Sequence, residues 1–216
     1  LKGYGLAHNY RNPQSRMCGD IDIYVGTENF DKAYKTISSL GDAPQTEDVE
    51  MADDDMHKHV ELDNVTIEVH RKASSSANLR QKRLFNKWTT ESIDNHFTDG
   101  TLPSITIDGA KVFTPSVNFN AIFILHHAAR HMITEGIGLR QICDWTIFLD
   151  RFHDQINEEE LRADLKRFQM EAIWKEFGIL AVNILGLDPS HLPLAPAEMT
   201  SKKTPKILKQ IFITGN

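Results

Sequence analysis

The sequence predicts an α+β fold, with a β-sheet in the amino-terminal half and helices in the carboxy-terminal half. Residues 20–25 alternate acidic and apolar side chains, and residues 57–70 contain two further strand-like runs, as half-buried strands require. From residue 116 onward, apolar residues recur at helical spacing instead. We therefore expect two domains, one with the sheet over residues 1–113 and a helical one over residues 114–216.

The composition excludes several classes of protein. The 216 residues are 40% hydrophobic and 25% charged, as in ordinary globular proteins, and no apolar stretch approaches the roughly 20 residues that span a bilayer. The formal net charge of -6 argues against a broad basic surface, so we expect a small substrate rather than a nucleic acid. Cys18 and Cys143 form no C-x-x-C pair, which argues against a disulfide framework or a zinc knuckle and favours a cytoplasmic location.

The first predicted elements are a short helix and a strand. Gly3 and Gly5 indicate a tight turn that leads into the short helix. In the strand at residues 20–25, Asp20 and Asp22 are two positions apart, and successive strand side chains point to opposite faces. The two carboxylates are therefore expected to point the same way.

A longer helix is predicted to follow this strand. Thr27 is its expected N-cap, and Gly41 ends a helical pattern of apolar residues that comprises Phe30, Ala33, Tyr34, Ile37 and Leu40. The next residues, 42–56, are acidic and rich in turn formers. We interpret their run of Asp53, Asp54 and Asp55 as part of a solvated loop rather than as a metal site.

A β-hairpin is predicted at residues 57–70, with Asp63-Asn64 as a two-residue turn between the two strands. Counting outward from this turn places His59 opposite Glu68. Glu68 shares its strand face with His70, because the two are separated by two positions. The hairpin thus displays a third carboxylate on a strand.

The remaining elements are mostly helices. A basic helix is predicted over residues 78–88, and a second small hairpin is predicted around Asp108-Gly109. Further helices are expected at residues 116–133, 138–152, 158–169 and 171–186, and after Lys203, with prolines between the last two.

Three carboxylates predict a metal centre. Asp20 and Asp22 on one strand and Glu68 on a neighbouring strand form an oxygen cage suited to Mg²⁺ or Mn²⁺. Two such metals can hold the attacking and leaving oxygens of an in-line phosphoryl displacement. In this interpretation Asp20 and Asp22 bridge the metals, while Glu68 completes one metal site and takes the proton from the attacking hydroxyl. The alternatives are an acidic exposed strand face for the aspartates and an ion pair with His59 for Glu68.

A triphosphate site is predicted upstream of these acids. Lys2-Gly3 and Gly5 precede the short helix, whose unpaired N–H groups can hold phosphate oxygens, and Lys2 or Arg16 can add positive charge. Gly19 directly precedes the first aspartate. Each of these features alone is weak, and their order and spacing carry the prediction.

The histidines allow two interpretations each. His57, His59 and His70 either line the same cleft or only partner a carboxylate. His127 and His131 are four apart on a helix, but Ala128 stands where the zinc motif His-Glu-x-x-His needs a glutamate. This second pair either supports the acceptor site or packs against the next helix.

One further pair in the helical half has two interpretations. Arg140 and Asp144 lie four apart and either form an intrahelical ion pair or contribute to the cleft.

Leu1-Lys2-Gly3, Arg16 and the run from Gly19 to Val25 together resemble the signature of polymerase-beta-type nucleotidyltransferases. More narrowly, the chain resembles a bacterial, largely uncharacterised nucleotidyltransferase family that has Lys-Gly where better-known relatives have Gly-Ser. The resemblance continues through residues 67–70 and reaches about residue 150 in the helical half, where His127, His131, Leu139 and Asp144 carry it.

This resemblance implies a mixed sheet flanked by helices and followed by a helical region beside the acceptor site. It also implies Mg²⁺-dependent transfer from a nucleoside triphosphate. The residues expected to contact the nucleotide or the acceptor are Lys2, Gly3, Arg16, Gly19, His70, His127 and His131. The chain departs from the broader superfamily in lacking a serine after Gly3.

The function predicted from the sequence is transfer of a nucleoside monophosphate to a hydroxyl of a small molecule or, as a further option, of a protein, with release of pyrophosphate. One alternative is an antitoxin-like module that chiefly holds a protein partner, which an exposed apolar patch on the helical half would favour. Another is a regulatory domain that binds nucleotide without turnover. Turnover is favoured because all three carboxylates of the predicted metal centre are present, at Asp20, Asp22 and Glu68.

Overall fold

The computed structural model describes residues 4–16, 19–40, 57–73, 79–107, 109–134 and 138–214. The chain divides into two compact units, Leu1–Thr114 and Pro115–Asn216. Sheets lie in the first unit and the second is helical, which confirms the predicted α+β class. The loop predicted at residues 42–56 lies outside the described residues, as do Lys2, Gly3, Cys18 and Asp108.

The first unit contains a three-stranded mixed sheet. Its strands are β1 (Asp20–Tyr24), β2 (His57–Leu62) and β3 (Val65–His70), in the order β1-β3-β2. Strand β1 runs parallel to β3, and β2 runs antiparallel to it. The central strand therefore places residues from both neighbours beside its own side chains.

One face of this sheet is apolar and is covered by helix α2 (Gly26–Ser38). Phe30 of the helix packs with Val60, Ile67 and Val69 of the strands, and all four side chains are buried. Each such side chain contributes about 1.5 to 3 kcal/mol when it is fully removed from water. Because strand side chains alternate, this burial directs the acidic and histidine side chains to the opposite face.

The hairpin between β2 and β3 has the predicted turn and register. Asp63 and Asn64 have φ values of 51° and 63°, as both central residues of a type I′ turn require. His59 lies opposite Glu68, and His57 lies opposite His70. The turn type thus sets which side chains meet across the two strands.

The junction between β1 and α2 differs from the prediction. Thr27 is not the N-cap, because the helix begins at Gly26 and Val25 occupies the cap position without a side-chain hydrogen bond. Gly26 has a φ of 72°, a conformation that glycine adopts at little cost. The chain therefore turns from strand to helix earlier than a threonine cap would allow.

The rest of the first unit holds short elements. Helix α1 (Tyr4–Ala7) is a single turn. Helix α3 (Leu79–Thr89) continues through a π-helical turn (Thr90–Asp94) into α4 (Asn95–Thr98), so the helical stretch runs well past the predicted residue 88. Strands β4 (Ser104–Ile107) and β5 (Ala110–Phe113) form the predicted second hairpin.

The second unit is built from helices α5 (Val117–Thr134), α6 (Leu139–Phe152), α7 (Glu158–Phe168), α8 (Glu171–Asn183) and α9 (Thr204–Thr214). Trp145 of α6 is fully buried in this unit, donates its indole N–H to the carbonyl of Ala121 over 3.1 Å and packs edge to face against Trp174. These helices follow the predicted pattern, except that α8 ends before residue 186. In the described part of the chain, no helix has the length and apolar character that crossing a membrane requires.

Candidate functional site

The polar face of the three-stranded sheet gathers the chemistry-bearing side chains. Asp22 lies beside Glu68 in the parallel pairing of β1 with β3, and Tyr24 lies beside His70. Glu68 and His70 share a strand face because they are two positions apart. The mixed topology therefore collects carboxylates and imidazoles from all three strands on one surface.

His70 lies between the two carboxylates. Its Nε2 atom is 2.9 Å from Asp22 Oδ1 and 3.1 Å from Glu68 Oε2, so both carboxylates are within hydrogen-bond distance of one ring nitrogen. The side chain of Asp22 is only 5% exposed and that of Glu68 is 17% exposed. A partly desolvated pair of carboxylates needs a positive or hydrogen-bonding neighbour, and His70 supplies one.

Asp22, Glu68 and His70 each offer a ligand atom, and these atoms lie within 4.8 Å of one another. Asp20 lies on the same face of β1, opposite Thr66, and is half-buried. It is outside the 4.8 Å group found among the described residues. The structure thus brings the second aspartate, the glutamate and the histidine together, with the first aspartate two positions along the strand.

His57 and His59 form the other side of Glu68. The Nε2 atoms of the two histidines are 3.1 Å apart, and Glu68 Oε1 lies 3.8 Å from His57 Nε2 and 3.6 Å from His59 Nδ1. The cross-strand contact between Glu68 and His59 expected from the register is therefore present. Glu68 uses one carboxylate oxygen toward His70 and the other toward this histidine pair.

Tyr24 and Asp94 support the site, and sequence reasoning missed both. The Tyr24 hydroxyl donates a hydrogen bond to Asp94 Oδ2 over 3.2 Å. Burial, and then the neighbouring Asp94 carboxylate, raise the pKa of Tyr24 well above its usual value of 10.0. Tyr24 follows Asp20 and Asp22 on the same strand face, and this spacing could have identified it from the sequence. Asp94 is 70 positions away, and no local sequence pattern connects it to the strand.

The upstream residues predicted to hold the triphosphate are described only in part. Lys2 and Gly3 lie outside the described residues, and α1 is one turn long. Arg16 is half-buried and follows a short 3₁₀ turn at Pro13–Ser15. Gly19 is exposed, and a Cβ atom there would meet no atom of the described residues within 4 Å. Within the described part of the chain, the space beside the Gly19 backbone is therefore open.

The histidines predicted in the helical half lie on α5. The rings of His127 and His131 pack edge to face with centroids 4.3 Å apart, and Arg130 Nη2 lies 3.3 Å from His131 Nε2. Burial, and to a smaller extent the charge of Arg130, lower the pKa of His126 to about 4. This helix thus carries three histidines, and His126 is the one that stays neutral at physiological pH.

The other residues predicted in the helical half lie on α6. Asp144 is buried, at 5% exposure. Burial and then the Asp144 carboxylate raise the pKa of the adjacent Cys143 thiol above 9.0. The Cys143 thiol is therefore protonated at neutral pH and is a poor nucleophile.

Sequence comparison identifies a family for the chain. The sequence profile of a family described as "uncharacterised nucleotidyltransferase" matches residues 1–186. Comparison with curated protein sequences and with solved structures finds no significant match. The matched region contains all of the first unit and most of the helical unit. The chain therefore belongs to this nucleotidyltransferase family, whose members are transferases.

Proposed function

We propose that the protein transfers a nucleoside monophosphate from a nucleoside triphosphate to a hydroxyl group of a small-molecule acceptor, in a reaction that depends on Mg²⁺ or Mn²⁺. The observation that supports this most directly is the convergence of Asp22, Glu68 and His70 within 4.8 Å. Family membership supports nucleotidyl transfer as the reaction class. The acceptor and the metal are our inference from the site and the charge of the chain.

The donor atoms fit a divalent metal. Asp22 and Glu68 supply hard carboxylate oxygens of the kind that Mg²⁺ and Mn²⁺ prefer, and Mg²⁺ is commonly held by one or two carboxylates together with substrate phosphates. Asp20 points from the same strand face, and we assign it to the metal centre as well. When bound, the metal would neutralise charge on the phosphates and lower the barrier to attack.

The side chains of the site have different tasks in this proposal. The acceptor oxygen attacks the α-phosphorus, the bond from that phosphorus to the bridging oxygen of the β-phosphate breaks, and pyrophosphate leaves. The proton of the acceptor hydroxyl passes to a carboxylate. We assign this role to Glu68 because it is more exposed than Asp22, at 17% against 5%, and so can reach a hydroxyl from the solvent side.

His70 positions both carboxylates. Its Nε2 atom is within hydrogen-bond distance of each, which fixes their separation and limits their rotation. A preorganised pair loses less freedom on binding than two independent side chains would. We also assign Arg16, Gly19 and the α5 histidines His127 and His131 to nucleotide or acceptor binding, together with Lys2 and Gly3.

The acceptor class follows from charge. The chain carries a formal net charge of -6, which disfavours long polyanions because phosphate backbones bind to clustered Lys and Arg residues. A small neutral or cationic acceptor has no such requirement. We therefore favour a hydroxylated small molecule, with a protein hydroxyl as the second option.

The test is pyrophosphate release across the four nucleoside triphosphates with Mg²⁺, in the presence of candidate acceptors such as aminoglycosides and lincosamides. We expect acceptor-dependent release with at least one triphosphate, and its loss on addition of EDTA. Mass spectrometry of the acceptor should show the added nucleoside monophosphate. Tight triphosphate binding without release for any acceptor, including protein fractions, would instead support a binding-only module and contradict the proposal.

A further inference from the structure

We propose that His57, His59 and Glu68 form a second metal site that takes a transition-metal ion such as Zn²⁺ or Co²⁺ and binds it without nucleotide. The three side chains offer ligand atoms within 4.8 Å of one another, and they are distinct from the Asp22 and His70 side of Glu68. The site thus goes beyond nucleotidyl transfer, and its binding does not depend on that reaction.

Strand geometry builds the site. His57 and His59 are two positions apart on β2, so both imidazoles project from the same face. The antiparallel register places His59 directly opposite Glu68 and His57 opposite His70. The type I′ turn at Asp63-Asn64 fixes this register, so the backbone places the three side chains next to one another on one face.

The distances suit a small metal ion. In a tetrahedral zinc site with metal–ligand bonds of about 2.0 to 2.1 Å, neighbouring ligand atoms lie about 3.4 Å apart. The Nε2 atoms of the two histidines are 3.1 Å apart, and Glu68 Oε1 is 3.8 Å from His57 Nε2. The 3.6 Å contact to Glu68 uses the other nitrogen of His59. The His59 side chain is 55% exposed, so its ring has room to adjust when a metal binds.

The chemistry of the donors selects the type of metal. Two imidazoles and one carboxylate form the three-ligand set of several catalytic zinc sites, which leave a fourth position open. Imidazole nitrogens favour Zn²⁺, Co²⁺ and Ni²⁺ over Mg²⁺, which prefers oxygen ligands. We therefore expect this site to discriminate against Mg²⁺, in contrast to the group formed by Asp22, Glu68 and His70.

Glu68 links the two groups. Its Oε2 atom faces His70, and its Oε1 atom faces the histidine pair. A metal held by Oε1 would fix the orientation of the whole carboxylate and hold β2 to β3 more firmly. Binding should therefore raise the melting temperature, because a ligand that binds only the folded state stabilises it.

The test uses metal-free protein without nucleotide. We expect one equivalent of Co²⁺ to bind with the visible absorption of a low-coordinate site, and Zn²⁺ to displace it and to raise Tm. Millimolar Mg²⁺ should not displace Co²⁺. The substitution His59→Ala removes an exposed ligand and should weaken binding by about tenfold or more. His59→Gln, which keeps a polar side chain but has no ring nitrogen, should weaken Co²⁺ binding as much as His59→Ala does.

A matched control is available in the helical unit. His153 and His191 stack with ring centroids 3.7 Å apart beside Asp150, but their Nδ1 atoms face its backbone carbonyl and its carboxylate, respectively. His191→Ala should leave Co²⁺ affinity unchanged. Equal affinity in wild type and both His59 variants, or an equal loss in His191→Ala, would overturn the proposal.

Failure of this site and failure of the proposed function are separable. Asp22→Asn should abolish nucleotidyl transfer while Co²⁺ still binds, because Asp22 is not among the three ligands. If Asp22→Asn weakens Co²⁺ binding as much as His59→Ala does, the ion occupies the Asp22, Glu68 and His70 group and the second site is wrong. Absence of turnover in the wild type would leave the binding result unaffected.

Discussion

The hydroxyl of Tyr24 donates a hydrogen bond to Asp94 Oδ2 over 3.2 Å and connects the end of β1 to the π-helical turn Thr90–Asp94. Tyr24 shares its strand face with Asp22 and lies opposite His70 in the sheet. The same Asp94 carboxylate lies 3.6 Å from the position that a Cβ atom of Gly26 would occupy. One carboxylate therefore holds the last residue of the site strand and lies beside the turn that follows it.

The first prediction concerns this hydrogen bond. Tyr24→Phe should lower the free energy of unfolding by about 1 kcal/mol, because it leaves a partly buried carboxylate without its donor. Urea denaturation of Tyr24→Phe, Asp94→Asn and the double variant measures the coupling between the two side chains. Additive effects would show that the two side chains do not interact.

The pH dependence of the same pair has a defined sign. The pKa of Tyr24 is raised in the folded state, so the unfolded state loses its proton first. The contribution of the protonated Tyr24 hydroxyl to the stability of the folded state is complete below the usual pKa of 10.0 and is lost as pH rises above it. As pH rises from roughly 9 to roughly 11, wild type should therefore lose more stability than Tyr24→Phe.

The second prediction concerns the aspartates. Asp22→Asn and Asp20→Asn should each lower turnover by roughly a thousandfold or more, because an amide cannot replace a carboxylate that holds a divalent metal. The fold should persist, since the amide oxygen introduced by Asp22→Asn can still accept a hydrogen bond from His70. Circular dichroism and urea denaturation measure the fold, and pyrophosphate release measures turnover.

Glu61→Gln is the matched control for these variants. Glu61 is an acid on the same face of the sheet, exposed and hydrogen-bonded by the Thr66 hydroxyl over 2.6 Å. Its neutralisation should leave turnover within about twofold of wild type, since Glu61 is outside both groups of potential metal ligands found among the described residues. Near-normal turnover in Asp22→Asn, or an equal loss in Glu61→Gln, would show that Asp22 has no special role.

The sheet was predictable from the sequence because its rules are local. A two-residue turn at Asp63-Asn64 with alternating apolar residues on both sides fixes the hairpin, its register and the face that each side chain takes. The predicted pairing of His59 with Glu68 is confirmed. The shared direction of Asp20 and Asp22 follows from the same period of two.

The contacts between separated segments were not predictable in this way. The position of His70 Nε2 between Asp22 and Glu68 depends on the parallel register of β1 with β3, which no turn between those strands encodes. The Tyr24 contact with Asp94 likewise spans 70 positions. Thr27 was wrongly assigned as a cap because Ser and Thr are favoured there, whereas the positive φ of Gly26 decides the start of the helix.

The third prediction concerns metal binding at the carboxylates. Mg²⁺ should bind weakly to the protein alone and about tenfold or more tightly with a non-hydrolysable triphosphate, because the phosphates supply the oxygens that the protein carboxylates leave open. Nucleotide affinity should rise by the same factor when Mg²⁺ is present. Isothermal calorimetry measures both. Equal Mg²⁺ affinity with and without the nucleotide would argue against a shared metal-phosphate site.

The fourth prediction concerns His126 of helix α5. Burial first, and the Arg130 charge second, lower its pKa from 6.5 to about 4 in the folded state. The unfolded state therefore binds the proton first as pH falls. The stabilisation is present above pH 6.5 and is lost as pH falls toward 4. As pH falls through this window, proton binding to His126 in the unfolded chain should lower the free energy of unfolding by about 2 to 3 kcal/mol.

The substitution His126→Gln isolates this contribution, because glutamine does not titrate. Urea unfolding at a series of pH values should give a shallower loss of stability below pH 6.5 for His126→Gln than for wild type. The exposed His96, which contacts the Thr101 hydroxyl over 2.7 Å, allows the same histidine-to-glutamine change to be made on the surface, and His96→Gln controls for the substitution itself. The same carboxylates are present in all three proteins, so the difference between the wild-type and His126→Gln curves is assigned to His126. Parallel curves for wild type and His126→Gln would mean that this imidazole has the same pKa in the folded and unfolded chains.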